Sequence, residues 1–284
     1  MKIGIIGKGF VGSAVSKGFS PSVGFDAEIR IYDKEPLRST HSLEETVNKS
    51  DFIFLSLPTP SNPDGSISLK LLNESLNDIN QINKNKNNIL LLRSTVVPGT
   101  SEKFQSLYKN IRIVFNPEFL TERSAYLDFI NQARIILGGD EKHCSKVESL
   151  YRARFGEYVP ILKTNFQTAE LIKYMNNCFF ATKVSFLNEM KIIADNVGAN
   201  WDESIEGFIL DGRIGHSHLQ VPGPDGNLGF GGSCFPKDIR ALIAFAKENN
   251  ISLNTIEGAW KTNLKVRPQK DWESLKGRAI VEDE

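Results

Sequence analysis

Short apolar runs alternate with longer stretches of helical period along this chain, and the alternation predicts strands interleaved with helices through about Pro160. Lys2–Ile6 (KIGII) is the first apolar run, and Ser13–Phe19 behind it has a helical pattern. Glu28–Tyr32, Asp51–Leu57 (DFIFLSL), Ile89–Leu92, Ile111–Phe115, Ala133–Leu137 and Tyr158–Leu162 read as further strands. Helices are predicted over Ser68–Ile82 and after Val97-Pro98-Gly99. Buried strands separated by helices imply a mostly parallel sheet covered on both faces, an α/β fold with a Rossmann-like doubly wound sheet. SNPDGS at Ser61–Ser66 is a turn-rich loop, and NKNKNN at Asn83–Asn88 is a polar loop to which no function is assigned. Beyond Pro160 the pattern turns helical. Thr164 and Gln167 have capping-box spacing, and Phe166–Val197 holds neither proline nor glycine, which predicts a connecting helix of roughly 45 to 50 Å at 1.5 Å per residue. Such a helix joins domains or forms a dimer seam. Helical patterns over Ile239–Asn249 and Leu253–Leu264 complete a small all-α region.

Composition narrows the function classes. The 284 residues suffice for one large or two moderate domains, and a 40% hydrophobic content is ample for buried cores. Lys plus Arg (34) equals Asp plus Glu (34), so no basic footprint points to nucleic acid or to a membrane surface. No apolar run approaches membrane-spanning length, and the chain opens directly on a strand rather than on a leader pattern. Cys144, Cys178 and Cys234 are widely spaced and odd in number, which fits a reducing cytoplasm better than a disulfide framework. Zinc-like spacing is absent, and the pair His216 and His218 reads as a loop feature, so no metal is expected.

The candidate chemistry sits at both ends of the chain. Gly7-Lys8-Gly9-Phe10-Val11-Gly12 follows the first strand and opens a helix. The first glycine permits the turn, the second lets a pyrophosphate approach the backbone, and the third lets helix and strand pack. Asp33 ends the second strand at the spacing of a residue that binds the adenosine ribose, favouring NAD over NADP, although Lys34 and Arg38 stand nearby. Pro58, Thr59, Thr95 and Glu118 lie beyond the carboxyl ends of their strands, where ligands bind in such sheets. In Gly229-Phe230-Gly231-Gly232-Ser233-Cys234-Phe235-Pro236-Lys237-Asp238, a cysteine stands at the mouth of a helix, with Pro236 expected as its first residue. The positive end of a helix favours thiolate, so Cys234 is placed like a nucleophile rather than a structural thiol. Asp238, one turn on, is near enough to manage a proton or a water molecule. Lys173 and Asn177 share a face of the long helix; together they either hold an oxyanion or are merely solvated.

Taken together, GKGFVG, LPTP at Leu57–Pro60, STV at Ser94–Val96, NPEFLTE at Asn116–Glu122, AELIKYMNN at Ala169–Asn177, DGRIG at Asp211–Gly215 and GFGGSCFPKD resemble the UDP-glucose/GDP-mannose dehydrogenase family, from Lys2 to about Asn263. Members oxidise a nucleotide sugar at C6 to the uronic acid with NAD. The resemblance implies that Cys234 is the catalytic thiol, that Lys173 and Asn177 hold an oxyanion, and that Asp238 positions or activates water. By the same resemblance Thr95, Glu118 and Glu122 match active-site positions, Phe119, Leu120 and Gly231 are substrate contacts within their motifs, and Arg213 reaches substrate across the boundary of a homodimer. The expected domains are an NAD-binding domain over 1–163, a central helical and dimerisation domain carrying the cysteine over 164–270, and a remnant of a nucleotide-binding domain over 271–284, with its first strand at Leu275–Val281. The chain departs from the family at Thr121 and Arg123, where relatives read arginine and glycine, which predicts a differently shaped loop over the sugar. VPGPDGN at Val221–Asn227 is expected to be a substrate-side loop.

Two hydride transfers require a nucleophile, because an aldehyde offers no second hydride until something adds to it. Thiolate addition gives a thiohemiacetal, its oxidation a thioester, and water then releases the acid. The alternatives are a non-catalytic NAD-binding dimer module and a single-hydride β-hydroxyacid dehydrogenase, which shares the lysine and asparagine but needs no cysteine.

Overall fold

The apolar run Lys2–Ile6 is strand β1, and its carboxyl end turns sharply at Gly7 (φ 89°) into helix α1, Phe10–Gly18. β2 (Glu28–Tyr32), β3 (Phe52–Leu55), β4 (Ile89–Leu92), β5 (Ile113–Phe115), β6 (Ile135–Gly139) and β7 (Ile161–Thr164) follow. They form one sheet in the order β2-β1-β3-β4-β5-β6-β7. All neighbours run parallel except β5 and β6, so the last two strands are reversed relative to the first five. Strand order turns back at β1, which lies between β2 and β3, and such a switch point opens a crevice beyond the strands' carboxyl ends.

Residues 1–282 are described by this computed structural model, and they fall into two units. The first comprises Met1–Thr59 and Leu69–Lys173 and contains the sheet; the second comprises Pro60–Ser68 and the chain from Tyr174 onward. The first unit packs α1 with α2 (Leu43–Asn48), α3 (Lys70–Ile82), α4 (Thr100–Leu107), α5 (Ala125–Ile130) and α6 (Glu141–Phe155) on the sheet. β4 reads ILLL and is buried at every position, as expected of a strand covered on both faces. One core cluster joins Ile3, Ile5, Val15, Phe19, Phe54, Leu91, Val114, Phe129 and Leu137. Phe19 sits among the rings of Phe25, Phe54, Phe129 and Tyr151 at 5.5 to 6.3 Å between centroids. Each such buried side chain contributes about 1.5–3 kcal/mol through the surface it removes from water.

Helix α7 (Phe166–Val197) has 32 residues, about 48 Å at 1.5 Å per residue. Its first turn is capped by Asn165, whose Oδ1 accepts the Thr168 N–H at 2.8 Å, rather than by the expected Thr164. β7 ends at Thr164, which commits that residue to the sheet and leaves the next one to cap. The seventh strand also begins three residues later than the sequence suggests, after Pro160. In the second unit α7 is followed by α8 (Trp201–Ile209), α9 (Phe235–Glu248) and α10 (Asn254–Val266). The strand expected at Leu275–Val281 does not form. Gly277 (φ 72°) reverses the chain, the Ala279 N–H bonds back to the Leu275 carbonyl, and only isolated bridges join Ile280 to Ser61 and Lys276. Residues 283–284 of the expected 271–284 segment lie outside the described residues.

Candidate active site

Three loops of the first unit converge beyond the carboxyl ends of β1, β3 and β4. A Cβ on Gly7 would lie 2.4 Å from the Ser56 carbonyl oxygen, and one on Gly12 would lie 2.0 Å from the Gly7 oxygen, so both positions admit only glycine. At Gly9 the same test meets nothing within 4 Å, which leaves the face of the turn open to a ligand. Phe10 and Val11 pack partly buried against the core and seat the start of α1. Asp33 accepts the Lys8 N–H at 2.6 Å through Oδ2 and the Glu35 N–H at 2.9 Å through Oδ1, tying the end of β2 to the glycine turn. After β3, Pro58 leads to Thr59, whose hydroxyl donates to the Thr95 carbonyl at 2.9 Å. Ser94 holds both the N–H and the carbonyl of Leu57. These residues fit a dinucleotide: two crowded glycines, one open one, a helix N-terminus and an acidic residue. Gly12→Ala is therefore expected to weaken NADH binding at least tenfold in a fluorescence titration; affinity within twofold of the parent would contradict this role.

Glu118, after β5, is 8% exposed and meets Lys173, which is 3% exposed. The Lys173 ammonium donates to the Glu118 carbonyl at 2.6 Å and to its Oε1 at 3.0 Å, while Oε2 accepts the Leu120 N–H at 2.6 Å. Lys173 also lies 5.4 Å from the centroid of the Phe119 ring, on whose face the Arg134 guanidinium stacks at 4.0 Å. A third buried group on α7, Glu170, accepts the N–H groups of Gly99 (2.6 Å) and Ser101 (2.7 Å). It thereby anchors the α4 N-terminus and the segment that carries Thr95. Burial holds its carboxyl above the usual carboxylate range in spite of those donors. Glu122, by contrast, is exposed in a single turn at Glu122–Ser124.

In the second unit Cys234 occupies the N-cap of α9, which begins at Phe235, so Pro236 is the second helical residue rather than the first. Cys234 is half-buried, and its hydroxyl neighbour Ser233 lies 3.8 Å from the sulfur. The other two cysteines are unsuited to nucleophilic work. Burial pushes the Cys144 thiol up to about 11 and raises that of Cys178 further, with the Asp238 charge adding to the effect at Cys178. Asn177, 6% exposed, donates through Nδ2 to Asp238 Oδ2 at 2.5 Å, and Asp238 Oδ1 is ion-paired with Lys237. Neither Lys173 nor Asn177 is a solvated surface group. Arg213 stands in the exposed loop after α8, paired with Asp211.

The glycine loop before Cys234 is held by side chains that no sequence motif marks. A Cβ on Gly231 would lie within 2.5 Å of the Arg267 guanidinium and the Asp271 carboxylate, so any side chain there would have to displace those two groups. Arg267 pairs with Asp271 (2.6 Å) and with Asp225 (2.5 Å) in the VPGPDGN segment. Burial alone would raise both aspartates, yet hydrogen bonding and charge from Arg267 hold them below the usual Asp range. A depressed carboxyl stabilises the fold above its unfolded value, and that contribution is lost as pH falls through the folded value, below about 4. Thermal midpoints should accordingly drop in that acid range, less steeply in Arg267→Met; parallel profiles for the two proteins would contradict the assignment.

Comparison with known proteins places the chain. A model of the UDP-glucose/GDP-mannose dehydrogenase family, NAD binding domain, matches residues 26–154, and that of the family's central domain matches 167–265. UDP-glucose 6-dehydrogenase TuaD of Bacillus subtilis (strain 168) is 33% identical over 257 residues, 88% of this chain and 54% of the relative. The UDP-glucose 6-dehydrogenase of Rickettsia prowazekii (strain Madrid E) is 34% identical over 254 residues, 86% of this chain and 57% of the relative. A solved UDP-glucose dehydrogenase from the archaeon Pyrobaculum islandicum superposes with a TM-score of 0.81 at 28% identity, over 96% of this chain and 70% of that one. The chain spans about half the length of the curated relatives it matches. Among the described residues, no helix is long and apolar enough to cross a membrane.

Proposed function

Since the chain belongs to the UDP-glucose/GDP-mannose dehydrogenase family, we propose that it oxidises a nucleotide sugar, with UDP-glucose the first candidate, at C6 to the uronic acid. The observation that carries this reading is Cys234, a half-buried thiol at a helix N-terminus in a chain whose other two cysteines are buried. NAD, held by the Gly7–Gly12 turn, Asp33, Pro58, Thr59 and Thr95, supplies the acceptor for both hydrides.

The chain's own residues do the rest. The Cys234 thiolate adds to the aldehyde carbon, forming a C–S bond and moving the carbonyl electron pair onto oxygen. Helix α7 carries Lys173 and Asn177 one turn apart, and an ammonium with an amide N–H stabilises that alkoxide. Loss of the second hydride leaves a thioester. Water attacks it, the C–S bond breaks, and the thiol takes back a proton. Asp238 serves the water step as an anchor, because both of its oxygens already accept bonds from Lys237 and Asn177. Glu118 positions Lys173 and, with Phe119, Leu120 and Gly231, contacts the sugar; Glu122 assists with water. We further propose a homodimer in a reducing cytoplasm, with Arg213 acting across the seam. Met175, Phe179, Phe186, Ile193 and Val197 support this, an apolar stripe at four- and seven-residue spacing that is 48 to 67% exposed on α7. Screening UDP- and GDP-sugars for NADH release tests the proposal. Turnover with a sugar nucleotide supports it; NAD binding without turnover on any of them favours a non-catalytic binding module.

A further inference from the structure

The loop Leu228–Gly232 delivers Cys234 to its helix, yet among the described residues no strand or helix backbone pairs with it, so its backbone groups must find other partners. They find side chains. Gly229 donates to Asn188 Oδ1 at 3.0 Å. Phe230 is gripped from both directions by one amide: its N–H donates to Asn263 Oδ1 at 2.7 Å, and its carbonyl accepts from Asn263 Nδ2 at 3.0 Å. The Leu228 carbonyl accepts from Arg267 at 3.3 Å, and the Gly232 N–H donates to Asp271 Oδ2 at 2.9 Å. Asn263 is wholly buried and Arg267 is 3% exposed.

This is a mould built for one backbone path. Asn263 imitates a strand neighbour, and its carboxamide can do so only with its oxygen and nitrogen in one orientation. Arg267 is fixed from two sides by Asp225 and Asp271, and Asp271 in turn fixes Gly232. Gly231 lies against the guanidinium and the carboxylate, so a larger residue there would disturb the same pair. A flexible glycine pair is in this way made rigid without sheet or helix.

We infer that Asn263 and Arg267 are positioning residues for Cys234, which set the geometry of thiol addition without touching the substrate. The inference rests on the proposed two-step oxidation for its kinetic consequence, but not for its structural one. Only aldehyde capture needs the thiol. At saturating sugar, which offsets any weakening of the Gly231 contact, loosening the clamp should therefore leave the first hydride transfer nearly intact and slow the second, a signature that general loss of structure does not produce.

The test uses the full chain with Asn263→Ala, Arg267→Met and Arg267→Lys. In Asn263→Ala, the rate of alcohol oxidation is expected within about threefold of the parent, while NADH released per sugar falls from two toward one and aldehyde becomes trappable by a hydrazine. Arg267→Lys should fall between the parent and Arg267→Met. Retention of two NADH per sugar in Asn263→Ala would overturn the inference. Hydrogen exchange separates failure of the clamp from failure of the functional reading. Even if the parent turns over no sugar nucleotide, the Phe230 and Gly232 amides should be protected in it. Phe230 should lose at least tenfold protection in Asn263→Ala, as should Gly232 in Arg267→Lys, which keeps the charge if Arg267→Met does not fold. Equal protection in parent and variants would overturn it.

Discussion

Cys234→Ser should consume one NAD per sugar instead of two and lower uronate formation by about 10³-fold or more, with the aldehyde accumulating in the presence of a hydrazine trap. The serine hydroxyl is nearly isosteric, but at neutral pH it is not ionised and is a far weaker nucleophile than a thiolate. The first hydride leaves from the alcohol carbon and has no need of sulfur. Loss of both transfers together would place the thiol in an earlier step, and full uronate formation would remove it from the chemistry. Cys144→Ser and Cys178→Ser provide the contrast, since both thiols are buried and held protonated. Their NADH stoichiometry should stay at two.

Lys173→Met is expected to lower kcat by about 10²–10³-fold, the usual consequence of removing a preorganised oxyanion donor. It should also destabilise the first unit by about 3–5 kcal/mol, because Glu118 would be left as a buried charge without its ammonium partner. The two effects can be separated. Adding Glu118→Gln to Lys173→Met removes the stranded charge and should restore much of the stability in a denaturant titration, while kcat stays low. If activity returned along with stability, Lys173 would be a structural cation only. If stability did not return, the cost would lie in lost packing of the lysine stem rather than in the charge.

Much of the sheet is legible in the sequence because its strands are short and buried on both faces. KIGII, EIRIY and ILLL appear as apolar or β-branched runs, and β1, β2 and β4 have the boundaries that those runs suggest. Where a run includes residues that leave the sheet the boundaries slip: DFIFLSL yields only Phe52–Leu55, because the N–H and carbonyl of Leu57 already bond to the Ser94 hydroxyl. α8 has no comparable signal in an acidic, turn-flanked segment, although Asn200 caps its first turn. The glycine turn and Cys234 stand out through their local motifs, whereas spacing puts Lys173 and Asn177 on one face without deciding between an oxyanion role and a solvated one. Their burial is not visible in the spacing, since Lys173 and Asn177 are removed from water only by partners distant in sequence, Glu118 and Asp238.

The clamp around the cysteine loop is the least legible part. Asn263 looks like a polar position on the solvated side of α10, while Arg267, the residue that follows its last turn, and Asp271 lie beyond its end. The four-residue spacing of Asn263, Arg267 and Asp271 gives no signal of its own, because the helix ends at Val266 and the chain path that brings Arg267 and Asp271 to the loop is set only in the fold. Glu170 was hidden in the same way, an acidic residue in α7 whose purpose appears only once the N-terminus of α4 is seen to lie against it.

The ratio of NADH to uronate made by the unaltered chain, followed to completion with limiting sugar nucleotide, bears most directly on a thiol that captures the aldehyde. Two NADH for every uronate, with no free aldehyde, is the result expected of it. One NADH and an aldehyde product would contradict it, and would make the chain a single-hydride dehydrogenase.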